Sequence, residues 1–185
     1  MTPAEETRAG LARVARTQVG FCETEGPNLG PRIRLYQGAT WKSPGAWYYC
    51  AAFVSWCLQE WLRAPDARGL VGAPNDPGRR DNWRFREPGA RLLLWWARRR
   101  GLRVLGPSDT LEPGDIVVYD FHGKDGIGDH CGIVAAPETD GGLLPEVIEG
   151  NTDAEGSRDG DGVWPRERQR ASVLEAVRLE SVDRT

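Results

Sequence analysis

Histidine and lysine each occur only twice in the 185 residues, and both shortages narrow the reading. With only His122 and His130 present, the search for an imidazole base is short. Positive charge comes almost wholly from 22 arginines with no basic stripe, and the net charge is −3 with a pI near 5.5. That balance argues against nucleic acid or an anionic membrane as partner. The four cysteines, at 22, 50, 57 and 131, are too few and too scattered for a disulfide framework. Cys50 and Cys57 would lie two helical turns apart, roughly 10 Å, beyond the reach of a disulfide. No CxxC pair is present to suggest structural zinc, and we expect neither metal nor cofactor. The first 21 residues contain no apolar h-region, and no stretch reaches membrane-spanning length. The expectation is a protein made in the cytoplasm without a signal peptide and without membrane insertion.

What is abundant is tryptophan, eight residues, in a chain sized for one domain with a real core. Thr2-Pro3 followed by Glu5 and Glu6 predicts a capped helix ending near Gly20. Residues 22–49 read as loop or short helical turns. Residues 50–63 read as a helix apolar on nearly all sides, and hence central. The segment 64–87, rich in proline, glycine and arginine, reads as a long irregular stretch. Pro88 is expected to open a third helix closed by Gly101, with Arg98, Arg99 and Arg100 at its negative end. Strands are predicted at 116–121, 130–136 and 143–150, with two more in GVWPRER and SVLEAVRLESV. A polar loop is expected at 151–162. Helices first and consecutive strands after indicate an α+β domain with an antiparallel sheet.

Cys50 stands where the loop SPGAWYY gives way to CAAFVSWCLQEWL. A helix N-terminus has unsatisfied N–H groups and a partial positive charge, and both favour thiolate, the reactive form. A cysteine nucleophile needs a base, and the base needs a group to orient it. His130 begins a strand, where a side chain is held more rigidly than His122 in the preceding loop, so His130 is the favoured base. Glu149 and Asn151 straddle Gly150 on the next strand. Alternation puts both on one face, and each has an acceptor oxygen for an imidazole N–H. Trp41, Trp47 and Trp83 suit either a binding groove or packing.

Taken in order, YYCAAFVSWCL, PGDIVVYD leading to DHCGIV, and VIEGNT resemble the CHAP family of cysteine- and histidine-dependent amidohydrolases and peptidases, within the papain-like superfamily that also holds the NlpC-type peptidases. The resemblance covers roughly residues 10–170 and treats residues 1–185 as a single catalytic domain. It implies a nucleophile helix packed on an antiparallel sheet, Cys50 as nucleophile, His130 as base and then acid, and Glu149 with Asn151 as the orienting pair. It also implies Tyr36 as a second oxyanion donor, with Trp47 and Tyr49 near the substrate. Relatives usually carry Pro-Trp before the cysteine where this chain has Tyr48-Tyr49, which bears on the adjacent subsite. Cys131 replaces what is mostly a small aliphatic residue and is expected to point into the core, away from His130. Some relatives bind calcium through aspartates just before the cysteine; residues 37–49 contain none. The implied function is peptidoglycan hydrolysis at an amide, either N-acetylmuramoyl–L-alanine or a bond of the stem or cross-bridge peptide. Delivery would follow from a lysis or secretion apparatus. The alternative is a protein-modifying cysteine enzyme, a deamidase or protease toxin, with the same triad.

Overall fold

A computed structural model describes residues 1–123, 126, 128–137, 144–157 and 159–181. The first helix begins on a reciprocal cap. The Thr2 side chain accepts from the Glu5 N–H, and the Glu5 carboxylate accepts from the Thr2 N–H. Pro3 follows at a position whose missing N–H costs nothing. Helix α1 (Pro3–Arg16) buries Leu11, Ala12 and Ala15. Then come α2 (Pro31–Gly38), α3 (Cys50–Trp61), α4 (Pro65–Val71), α5 (Pro77–Trp83), a 3-10 turn (Ala90–Leu92) and α6 (Leu93–Arg99).

Two expectations need correction. The stretch 64–87 is not irregular, for it holds α4 and α5, each opened by a proline, with the Asp76 side chain capping α5. At seven residues each, they are too short for an apolar period to stand out. The helix expected to open at Pro88 starts later, in the 3-10 turn after Gly89.

The strands are β1 (Leu102–Leu105), β2 (Ile116–Tyr119), β3 (His130–Val134), β4 (Val147–Thr152), β5 (Gly162–Arg166) and β6 (Val173–Ser181). They form one antiparallel sheet in the order β1-β6-β2-β3-β4-β5. The expected α+β architecture is the one observed. Strand β1, four residues directly after the Gly101 turn, was not singled out by its pattern. Strand β4 begins and ends later than expected, taking Asn151 and Thr152 from the predicted loop; Leu143 and Arg158 lie outside the described residues.

Central strands β2 and β3 are buried along their whole length. Ile116, Val118, Cys131 and Ile133 join the core under the helices. Val117, Tyr119 and Val134 join a smaller core on the opposite face with Leu105, Leu111 and Val173. Two covered faces explain why IVVY reads as an unbroken apolar run. Among the described residues, no helix is long and apolar enough to cross a membrane.

The contact that positions the site is between α3 and β4. A Cβ built on Gly150 would lie 2.7 Å from Phe53 Cβ, so only glycine lets the helix settle at this depth. Gly150→Ala is therefore expected to lose about 1–3 kcal/mol in urea unfolding through overpacking. An unchanged midpoint would show that the helix yields instead.

Candidate active site

Cys50 is the first residue of α3 and is 7% exposed. Its N-cap is Tyr49, whose side chain makes no capping hydrogen bond. A Ser, Thr, Asp or Asn cap would satisfy an N–H and add about 1 kcal/mol of stability. Without it, the first N–H groups of α3 remain pointed at whatever sits over Cys50. The sheet holds the chain just ahead of Cys50: Asn151 Oδ1 accepts from the Tyr49 N–H at 2.7 Å.

His130 opens β3 and is 1% exposed. Its Nε2 donates to Glu149 Oε2 at 2.9 Å, which leaves Nδ1 as the nitrogen free to serve Cys50. The imidazole stacks on Tyr119, with centroids 6.0 Å apart and planes at 22°, and lies 5.9 Å from the Phe121 ring. Glu149, on β4, is fully buried and also accepts from Arg168 at 2.6 Å and 3.1 Å. The Arg168 guanidinium lies 5.1 Å from the centroid of the Phe121 ring. The arrangement is a relay of thiol, imidazole, carboxylate and guanidinium, walled by two aromatic rings.

The electrostatics follow from this order. The Cys50 thiol is held well below its usual pKa, first by a hydrogen bond with Cys131 and then, against burial, by bonding to His130, its positive charge and the Ala51 amide. Burial alone would depress the His130 pKa, but the charge of Glu149 and the bond to Cys50 outweigh it and raise it to about 10. Burial likewise opposes ionised Glu149, and His130 and Arg168 reverse that, leaving its pKa lowered. Magnitudes rank the helix terminus against the imidazolium. A helix terminus contributes about 0.3–1 kcal/mol, whereas an imidazolium about 4 Å away contributes about 4 kcal/mol at an effective dielectric of 20. The helix start places the thiol, and the imidazolium outweighs the helix terminus in favouring its ionised form.

The other candidates fall into place differently. Asn151 does not orient the histidine: at φ 62° it sits in left-handed backbone beside a register shift, and its oxygen serves Tyr49. Tyr36 does not present a free donor, since it is buried and its hydroxyl donates to Gln18 Oε1 at 3.0 Å while its ring packs against Tyr49, Phe53 and Trp56. Tyr49 faces inward and is fully buried. Its neighbour Tyr48 is exposed and walls two clefts. One, about 560 Å³, is lined by Glu23, Asn151, Asp153 and Asp161; the other, about 480 Å³, by Trp41, Trp47, Glu87 and Arg91. Trp83 is buried edge-to-face on Trp96 and takes no part in either cleft. His122 is exposed and pairs with Asp129 at 2.6 Å. Arg168 escaped the sequence reading because one arginine among 22 carries no signal.

In the acidic loop, the aspartate oxygens described serve the local turn. Asp153 Oδ1 is taken by the Gly156 and Ser157 N–H groups and Asp161 Oδ1 by Trp164, and no group of three ligands is assembled among the described residues. A search of curated proteins finds no match to the chain. The family model for the CHAP domain matches residues 39–151, which carry Cys50 at the start of α3, His130 on β3 and Glu149 on β4. The chain therefore belongs to the CHAP-domain family.

Proposed function

We propose that the protein is a cysteine-dependent peptidoglycan hydrolase that cuts an amide through a thioester, with Cys50 as nucleophile, His130 as acid and base, and Glu149 as the group that orients the ring. The family itself supports amidase or peptidase activity on peptidoglycan in general. The observation that carries the finer reading is the buried His130 ring, bonded to Glu149 and favouring the Cys50 thiolate at an uncapped helix N-terminus, with Tyr48 two residues ahead walling two open clefts.

The chemistry is as follows. The Cys50 thiolate attacks the amide carbonyl, and the Cys50 N–H at the head of α3 faces the developing oxyanion. Imidazolium His130 gives its proton to the leaving amine as the C–N bond breaks. Neutral His130 then takes a proton from water, which attacks the thioester and releases the acid and the thiol. The Glu149 carboxylate, locked by Arg168, keeps Nε2 protonated and Nδ1 aimed at sulfur throughout. The substrate peptide lies in the clefts on either side of Tyr48. The enzyme reaches the wall through lysis or a delivery apparatus.

The test is digestion of purified sacculi of several chemotypes, with products identified by mass spectrometry. New amino termini and matching acids from muropeptides are expected. Intact sacculi together with a +1 Da change on a protein substrate would replace this reading with a deamidase.

A further inference from the structure

Two cations pair with Glu149, and they differ in permanence. His130 Nε2 and Arg168 Nη2 reach the same oxygen, Oε2, at 2.9 Å and 2.6 Å, and Arg168 Nε donates to Oε1 at 3.1 Å. The guanidinium is fixed from its other sides as well. Nη1 donates to Gly156 O at 2.6 Å, Nη2 reaches Thr152 Oγ1 at 3.4 Å, and the Phe121 ring lies against its face. Arg168 lies beyond residues 39–151, so the family match assigns it nothing. Glu149 is fully buried, and a buried carboxylate without a cation takes up a proton instead. His130 serves as that cation only until it protonates the leaving amine. A guanidinium keeps its charge at every stage.

Resting on the cysteine mechanism proposed above, we infer that Arg168 is a positioning residue for the second half of the reaction: its permanent charge keeps Glu149 a carboxylate once His130 is neutral. The neutral ring then holds its hydrogen on Nε2 and leaves the Nδ1 lone pair for water. Without Arg168 the buried pair keeps one more proton. That proton sits on His130, or on Glu149 with the ring hydrogen displaced to Nδ1. Either way Nδ1 carries hydrogen and cannot act as base, and the thioester persists. The other titratable groups around the ring are Cys50 of α3, uncharged once acylated, and Tyr119 of β2. Tyr119 and Cys131 of β3 feel the Glu149 charge, which favours their protonated forms. Asp153 acts on Arg168 and favours its charged form.

The experiment is ring-nitrogen NMR of His130 against pH in the full chain carrying Cys50→Ala, which removes the sulfur charge as acylation does. His122 is the one other imidazole in the spectrum, and His122→Gln identifies it. Arg168→Gln is expected to raise the pH at which Nδ1 loses its hydrogen by about 1–2 units, the effect of removing a cation about 6 Å away at an effective dielectric of 20. Arg168→Lys, which keeps the charge, should stay within about half a unit of the parent. A site merely loosened and opened to water would move the other way, toward the ordinary value of about 6.5. An unmoved or lowered midpoint in Arg168→Gln would overturn the assignment, as would an equal rise in Arg168→Lys. Should the glutamine variant not fold, the lysine variant decides: a midpoint held near the parent sustains the assignment, and a fall toward the ordinary value overturns it. Because the titration needs no peptidoglycan, inactivity on sacculi would count against the proposed function and leave this result standing.

Discussion

Cys50→Ala is expected to lower amide cleavage in peptidoglycan by about 10⁴–10⁶-fold, since the remaining oxyanion donors and clefts bind but do not form a covalent intermediate. The measurement is release of new amino termini from sacculi under conditions where the wild type is linear in time. The fold should survive, as the change removes one sulfur from a helix whose buried residues Phe53, Val54, Cys57, Leu58 and Trp61 are untouched. Far-ultraviolet circular dichroism and the urea midpoint check that. Cys50→Ser should be nearly as inactive, because a hydroxyl in the same place does not ionise against His130. Substantial turnover by a folded Cys50→Ala protein would transfer the chemistry to another residue.

Glu149→Gln carries the second large effect, through charge rather than shape. Glutamine keeps the length and one acceptor oxygen but leaves His130 and Arg168 facing a neutral amide in a site closed to water. Turnover should fall by about 10²–10⁴-fold, the range seen when the orienting carboxylate of a triad is neutralised. The pH profile distinguishes this from mere damage. The wild-type imidazolium persists until its pKa near 10, so activity that depends on it declines only there. Without the Glu149 charge, burial prevails and the alkaline limb moves to lower pH. Stability follows the same signs. His130 is raised above its unfolded value, so its contribution is complete below about pH 6.5 and is lost as pH rises through about 10. Glu149 is lowered, so its contribution holds above the ordinary carboxylate range and disappears on acidification. A Glu149→Gln enzyme with unchanged kcat and alkaline limb would remove the carboxylate from the relay.

How far these residues can be read from the string depends on whether their signal is local. Cys50 at a helix start is legible because a Gly/Pro loop meets an apolar run, and His130 at a strand start is legible for the same kind of reason. The choice between Glu149 and Asn151 is not. Regular alternation puts both on one face, and only the left-handed turn at Asn151 separates them. That turn depends on pairing with the distant loop, where Gly160 N–H bonds Asn151 O. Tyr48 and Tyr49 are indistinguishable by type; burial under Tyr36 and the exposure of Tyr48 tell them apart. Arg168 arrives from beyond β5, outside any pattern its neighbours display.

The bond from Tyr49 N–H to Asn151 Oδ1 spans 102 residues of chain. Every partner that makes Cys50 unusual lies on its C-terminal side, from His130 to Arg168. At roughly 5–20 residues per second of synthesis, Arg168 follows Cys50 by roughly 6–24 s. During that interval the sulfur is an ordinary thiol with a pKa near 8.5, about 3% ionised at pH 7. A polypeptide halted or clipped before β4 would hold the nucleophile yet not arm it, so hydrolytic competence itself reports that the sheet is complete.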